Sequence, residues 1–353
     1  MRLRTAAAAA ALLLVSGWAG VTLLPLSSPD EGGDPRRPPA RPLSLLYLRG
    51  ERLHSLNLRT GGDEIVRTLP PADVHAAPAS AWLALVTAPA GADFAAEPNL
   101  SLLEPSSGLR HRLGPGFAPL WRPDGAALAY LRPVEDRRCE AEACAGRVEV
   151  VTAGVSGERE TLLGPGHWTL LTWSGARLLV AERDDPDVVT IAGSGSQHRL
   201  PLAAAKVWGA SPDGRWAVIA GPRGAAFVAL RRGDELGHRR ALVAGGRLAE
   251  GQWSPHSDVL AGVVLRGIRK GVPSSRMVLS SPDGPTRELQ GSSGAAGGPL
   301  WSGDGRALAF PQTVGKAQDR LRARVCVLES STCKSWLTWT DEVRLLRLER
   351  GRL

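Results

Sequence analysis

The chain has 353 residues, is 43% hydrophobic and 22% charged, and carries a formal net charge of +8. That balance excludes a disordered chain and one that is membranous throughout, and 41 Gly with 27 Pro predict many turns and few long helices. The positive charge is thinly spread, in clusters no denser than Arg231, Arg232, Arg239 and Arg240, without the basic stripe and interleaved aromatics of a nucleic-acid binder, so nucleic acid is not expected as a partner.

At the start of the chain Arg2 and Arg4 precede an uncharged stretch from Thr5 to about Leu26 that is rich in Ala, Leu and Val. A basic segment before an apolar run is how export signals begin, and about 20 apolar residues also suffice to span a bilayer as one hydrophobic helix. Gly17-Trp18-Ala19 is a small-x-small cleavage candidate. A cleaved signal peptide and a retained signal anchor therefore both fit residues 1–26, and no Cys is present there for a lipid anchor. Either way the positive flank stays inside. The expected location is extracytoplasmic, secreted or held at the cell membrane by this segment. Residues 27–42, SSPDEGGDPRRPPARP, read as an extended linker.

From residue 43 to 353 the chain is organised by repeats. Five segments share a Trp, a turn of Pro, Asp, Gly or Ser, and an alternating apolar strand: Pro119–Leu131, Leu171–Glu182, Lys206–Gly221, Gly251–Leu265 and Pro299–Pro311. Degenerate copies fit at Val74–Ala88, where Trp82 aligns with Trp216, and at Leu337–Glu349. In Arg122-Pro123-Asp124-Gly125 the Pro fixes φ, the Asp can bond its own backbone and the Gly accepts positive φ. Pro212-Asp213-Gly214 repeats the device. Ser281-Pro282-Asp283-Gly284 matches the string as well, but it falls in a late hairpin rather than after a Trp.

Each repeat offers about four strands, which predicts an all-β fold: a single β-propeller, with seven four-stranded blades preferred and six or eight left open. Val74, Trp121, Trp173, Trp208, Trp253, Trp301 and Trp339 are taken as equivalent starts, the Trp residues as structural blade markers packing one blade on the next. Leu43–Leu69 has the later strands without the start, and the C-terminal segment has the start without the later strands. Together they are expected to complete one shared blade and close the ring.

Four cysteines form two local pairs, Cys139 with Cys144 and Cys326 with Cys333, each bracketing a hairpin tip. A four-Cys zinc site competes, but neither pair has the tight C-x₂-C spacing. Two disulfides are expected, in keeping with export.

No catalytic, cofactor-binding or metal-binding residue is assigned. There is no G-x-S-x-G elbow, Gly315-Lys316 is followed by Ala317 rather than Ser or Thr, and the seven His are scattered. Asp184-Asp185-Pro186-Asp187 lacks calcium-loop order and reads as a polar turn.

The pattern in WRPDGAALAY, WGASPDGRWAV and WSGDGRALAF resembles the TolB-like propeller repeat, also called the PD40 or WD40-like repeat, over roughly Leu43 to Glu349. The resemblance implies a bacterial envelope protein that acts through partners, here without the α/β domain that precedes the propeller in TolB. The expected function is a non-catalytic, monomeric, exported or anchored scaffold binding a protein, peptide or envelope polymer. The alternative is a propeller enzyme (a lactonase, a cyclase or a glycan-active hydrolase) whose channel residues converge only in space.

Overall fold

Alternating apolar residues between Gly-, Pro- and Asp-bearing turns form strands throughout the computed structural model, which describes residues 43–87, 98–134, 146–193, 196–202, 207–221, 224–230, 236–242, 246–269, 272–314, 320–339 and 343–350. The expected export segment and linker at residues 1–42, and the pair Cys139 and Cys144, lie outside these residues. No helix occurs among the described residues, so none there is long and apolar enough to cross a membrane.

In chain order, β1 (Leu43–Arg49), β2 (Arg52–Asn57) and β3 (Asp63–Thr68) begin blade 1. Blade 2 holds β4 (Asp73–Ala76), β5 (Leu83–Thr87), β6 (Asn99–Leu103) and β7 (Arg110–Pro115). Blade 3 holds β8 (Phe117–Trp121), β9 (Ala127–Pro133), β10 (Val148–Gly154) and β11 (Arg159–Gly166). Blade 4 holds β12 (Trp168–Ser174), β13 (Arg177–Glu182), β14 (Asp185–Gly193) and β15 (Ser196–Leu200). Blade 5 holds β16 (Val207–Ala210), β17 (Trp216–Gly221), β18 (Gly224–Leu230) and β19 (Leu236–Ala241). Blade 6 holds β20 (Arg247–Trp253), β21 (Leu260–Arg269), β22 (Val272–Ser280) and β23 (Arg287–Glu288). Blade 7 holds β24 (Leu300–Trp301), β25 (Ala307–Val314), β26 (Arg320–Val327) and β27 (Thr332–Trp339). The last strand, β28 (Val343–Arg350), pairs antiparallel with β1 and completes blade 1 in the order β28-β1-β2-β3.

The blade number is seven, each a four-stranded antiparallel meander. The first strands β28, β4, β8, β12, β16, β20 and β24 touch in sequence around a closed circle, so they line the axis. Closure by β28 leaves no blade unpartnered around the ring, which is how this architecture protects its edges.

The core is correspondingly divided. Seven clusters of buried side chains each lie between two neighbouring blades, such as Leu100, Leu102, Trp121 and Tyr130 between blades 2 and 3. The shared blade has one on either side, through Leu45, Tyr47 and Leu348 toward blade 7 and Leu46, Leu53 and Leu346 toward blade 2. Alternation along each strand sends successive residues into opposite layers.

Trp121, Trp253 and Trp301 end the axial strands of blades 3, 6 and 7, Trp173 is the last residue but one of the axial strand of blade 4, and all four are between 4% and 8% exposed. Three of their indoles donate backward across the blade boundary, Trp121 Nε1 to His75 O, Trp173 Nε1 to Leu120 O and Trp301 Nε1 to Gln252 O, all at 2.9 Å.

The other three expected starts sit elsewhere. In blades 3, 6 and 7 the residue after the Trp donates its N–H to the head of the next strand, as Ser302 does to Ala307 O. In blade 5 the donor is Ser211, to Trp216 O, and in blade 2 it is Ala77, to Trp82 O. Ala210 and Ala76 therefore occupy the Trp place, and Trp208 and Val74 lie two residues before it. A register shift between Val207 and Gly209 accompanies the slip at Trp208. Trp339 is also misplaced, because it closes β27 opposite Leu321 on the outer edge of blade 7. In blade 1 the place belongs to Leu348, which pairs with Leu45 as Trp301 pairs with Leu308.

Cys326 and Cys333 face each other across β26 and β27 and are joined by a disulfide. Ser281–Gly284 falls between β22 and β23, away from the axis. Arg183 and Asp184 form the turn between β13 and β14.

Candidate functional site

Each axial strand of blades 2 to 7 is followed by a short turn into the next strand, and neighbouring turns touch around one mouth of the channel. Their chemistry is repetitive. Asp124 Oδ1 accepts from Ala126 N at 3.0 Å, Asp213 Oδ1 from Arg215 N at 3.0 Å and Asp304 Oδ1 from Arg306 N at 3.1 Å. In blades 5 and 7 a preceding hydroxyl joins in, with Ser211 and Ser302 each donating to the same aspartate oxygen at 2.6 Å. These side chain to backbone bonds are what make Asp a turn former.

Gly is required where turns meet. Gly125 has φ 68°, and a Cβ there would stand 2.8 Å from Ser80 N of blade 2. Ser80 Oγ uses the clearance to donate to Gly125 O at 2.8 Å.

Charge is arranged across blade boundaries. Arg215 pairs with Asp213 in its own turn and with Asp258 in the turn of blade 6. Burial opposes ionisation of Asp213, but the bonds from Ser211 and Arg215 outweigh it and hold the carboxyl below its ordinary range. Asp258 goes the other way, pushed up by burial and by the Asp213 carboxylate despite Arg215. For Asp124, burial is again outweighed, by Arg122 and the Ala126 N–H, and its pKa is lowered.

Blade 1 contributes no hairpin at this mouth, because β28 ends and β1 begins there. The turns of blades 7 and 2 approach across the gap, so that a Cβ on Gly303 would lie 3.5 Å from Ala79 Cα. Beneath them lies Arg347, 3% exposed and the one charged side chain among the buried described residues. It donates to Ala77 O at 3.4 Å and to Ser80 O, and it pairs with Glu349. Burial alone pulls its pKa down to about 10, so it is cationic at neutral pH.

Above this staple is a cavity of ≈ 550 Å³ whose lining includes Ala79, Asp124, His256, Asp304, Arg347 and Glu349. It collects residues from blades 1, 2, 3, 6 and 7 and therefore sits on the axis. His256 is exposed and has no hydrogen-bond or ion-pair partner among the described residues. No group of three or more His, Cys, Asp or Glu is placed to hold a metal ion among the described residues. The arrangement offers a concave polar surface of both charge signs, suited to docking a polar chain or group.

No expected Trp marker lines this cavity. Asp124 and Asp304 are read from the sequence as turn formers only, and His256, Arg347 and Glu349 have no local signal at all. The one available signal is phase, since residues flanking the axial turns must meet at the mouth once the blade count is known.

No protein-family model matches the chain, and no curated protein matches it. Solved structures do. A prolyl endopeptidase structure matches with a TM-score of 0.60 and 14% identity, over 87% of this chain and 50% of that one. A putative 6-phosphogluconolactonase from Bacteroides fragilis matches with a TM-score of 0.50 and 11% identity, over 89% of this chain and 100% of that one. TolB from Acinetobacter baumannii is matched at a TM-score of 0.45 and 14% identity, over 87% of this chain and 66% of that one. The chain spans about half the length of the prolyl peptidases it matches. At these identities the likeness is one of fold alone, and the chain's own seven four-stranded sheets define it as a seven-bladed β-propeller. The fold hosts binding scaffolds and enzymes alike, so function rests on the site.

Proposed function

We propose that this chain is a non-catalytic binding scaffold that works outside the cytoplasm as a monomer, secreted or anchored through residues 1–26, and docks a protein, peptide or envelope-polymer partner at the turn-built mouth. The observation that carries the reading is the mouth itself, where turns from several blades surround a ≈ 550 Å³ cavity of mixed charge. The apolar N-terminal run after Arg2 and Arg4 supports the location, and the likeness of the repeats to TolB-like propellers supports a partner-binding role.

Ala79 and His256 are exposed on the rim and make none of the turn bonds described above. Replacing both with Glu should leave folding intact and fill the mouth with negative charge. The wild-type chain is expected to capture a specific partner from intact envelopes, and the double variant is expected to lose it. Equal capture by the variant, or no specific capture by the wild type, would overturn the reading. A stoichiometric metal bound through the acidic mouth residues would turn it toward the propeller-enzyme alternative.

A further inference from the structure

Trp208 leaves the axial Trp place to Ala210, and it does not become ordinary core. The shift between Val207 and Gly209 re-aims the strand, as bulges do. Trp208 ends half-buried against the layer between blades 5 and 6. There it walls a cavity of ≈ 530 Å³ at the end of the ring away from the turns, with Val207, Ala220, Ala225 and Leu248 as further walls and Arg247 at its edge. The volume falls in the range of about 300–1,000 Å³ typical of small-molecule sites.

We propose that this cavity binds a small, ring-bearing monocarboxylate with an otherwise apolar body. Three features select that class. Trp208 supplies the aromatic face, on which a flat ring stacks. Arg247 is exposed and has no hydrogen-bond or ion-pair partner among the described residues, and a guanidinium in that state is the natural bidentate partner of a carboxylate. The rest of the described lining is aliphatic or glycine. Among the described lining residues only the Arg247 guanidinium and the Trp208 indole N–H could meet the hydroxyls of a sugar acid, so most of them would be buried against aliphatic wall at a desolvation penalty for each. Aromatic stacking alone would admit both classes; the aliphatic character of the described lining favours the apolar-bodied acid over the sugar.

The test uses the full-length protein and 2-naphthoate in isothermal titration calorimetry. One-to-one binding is expected. Arg247→Gln, a change on an exposed side chain, is expected to weaken it roughly tenfold or more, since it removes a charge-assisted bond. 2-Naphthalenemethanol, which keeps the ring and loses the charge, should bind more weakly than 2-naphthoate to the wild type and equally to wild type and Arg247→Gln. Trp208→Ala should weaken both ligands, while Trp208→Phe restores most of the affinity. Glucuronate should not compete. Failure of 2-naphthoate to bind, equal competition by glucuronate, or unchanged affinity in Arg247→Gln would overturn the proposal. The Ala79→Glu, His256→Glu double variant should bind 2-naphthoate normally, so the outcome here is separable from the docking role of the opposite mouth.

Discussion

Blade 7 carries Trp301 at the end of its axial strand, and the indole reaches back to Gln252 O of blade 6 at 2.9 Å. Blade 1 beside it has Leu348 in that place, and its neighbour Arg347 reaches forward instead, to Ala77 O and Ser80 O of blade 2. Blade 7 is one continuous piece of chain. Blade 1 is assembled from both ends of the propeller, with β28 held to β1 by hydrogen bonds and packing alone. The difference teaches where a closed ring needs its polar contacts. Blade 7, like blades 3 and 4, is locked by a large ring that is mostly dispersion and area, with one hydrogen bond to fix its angle. The discontinuous blade adds a buried charge whose donors tie a terminal strand to the next blade, a contact that is strong only while every partner is present.

The sharpest way to break this comparison is to remove the ring from blade 7. Trp301→Ala deletes a side chain that is 4% exposed in the layer between blades 6 and 7, and is expected to cost about 3–5 kcal/mol. Trp208→Ala, at a half-buried residue beside a cavity, should cost clearly less. Both are read from urea unfolding midpoints at constant m-value. Equal losses would mean that the phase assigned to the two tryptophans carries no energetic weight.

Next comes the staple of blade 1. Arg347→Ala strands Ala77 O, Ser80 O and the Glu349 carboxylate, which is 17% exposed. Breaking a buried pair in this way is expected to cost about 3 kcal/mol. The loss should show first as faster amide exchange in β28 and β1, before any change in β12 to β15. Uniform acceleration around the ring would mean that Arg347 contributes general stability rather than closure.

The same comparison explains what was legible in the sequence. Blades 3, 6 and 7 announce themselves because a Trp and a turn sit at fixed spacing, as at Trp121 to Gly125 and Trp301 to Gly305, and blade 4 because Trp173 runs straight into the shorter turn at Ser174-Gly175. Blade 5 contains both signals, but its Trp208 lies two residues too early. Counting back from the turn at Ser211-Pro212-Asp213-Gly214 gives Ala210, whereas counting from the Trp gives the wrong register. The turn is the better ruler, because its φ requirements and its Asp bonds are local, whereas a large apolar ring can be buried at several neighbouring positions. The shared blade is foreseeable from its incomplete halves, yet Arg347 is not, since its acceptors are about 270 residues away along the chain. The mouth cavity is invisible for the same reason. It is a property of ring closure, assembled from residues that no local window contains.

The smallest expected effect concerns acid, and it separates the blades whose axial turn carries an aspartate (3, 5, 6 and 7) from those without one, blade 1 among them. Asp124 and Asp213 have folded pKa values held below the ordinary carboxylate range, where burial is outweighed by their bonds to neighbouring donors. Below about pH 4 the unfolded chain binds these protons before the folded chain does. Their contribution is therefore complete above the unfolded pKa and is lost as pH falls through the folded one. Asp258, pushed up by burial and by Asp213, has the opposite sign, because the folded chain takes its proton first and acidification relieves a penalty there. All three carboxylates are partly exposed, so the changes will be modest. Unfolding free energy measured from pH 5 downward should fall less steeply in Asp124→Asn than in the wild type, since Asn keeps an oxygen acceptor for Ala126 N without titrating. In Asp258→Asn the fall should be steeper, because the compensating group is gone. Local exchange at Ala126 N–H should rise over the same pH interval, while β28 and β1, which lack such a turn, should not follow it. Parallel slopes in the wild type and both variants would show that these aspartates shape the turns by geometry alone, with no part of the acid sensitivity assigned to their charge.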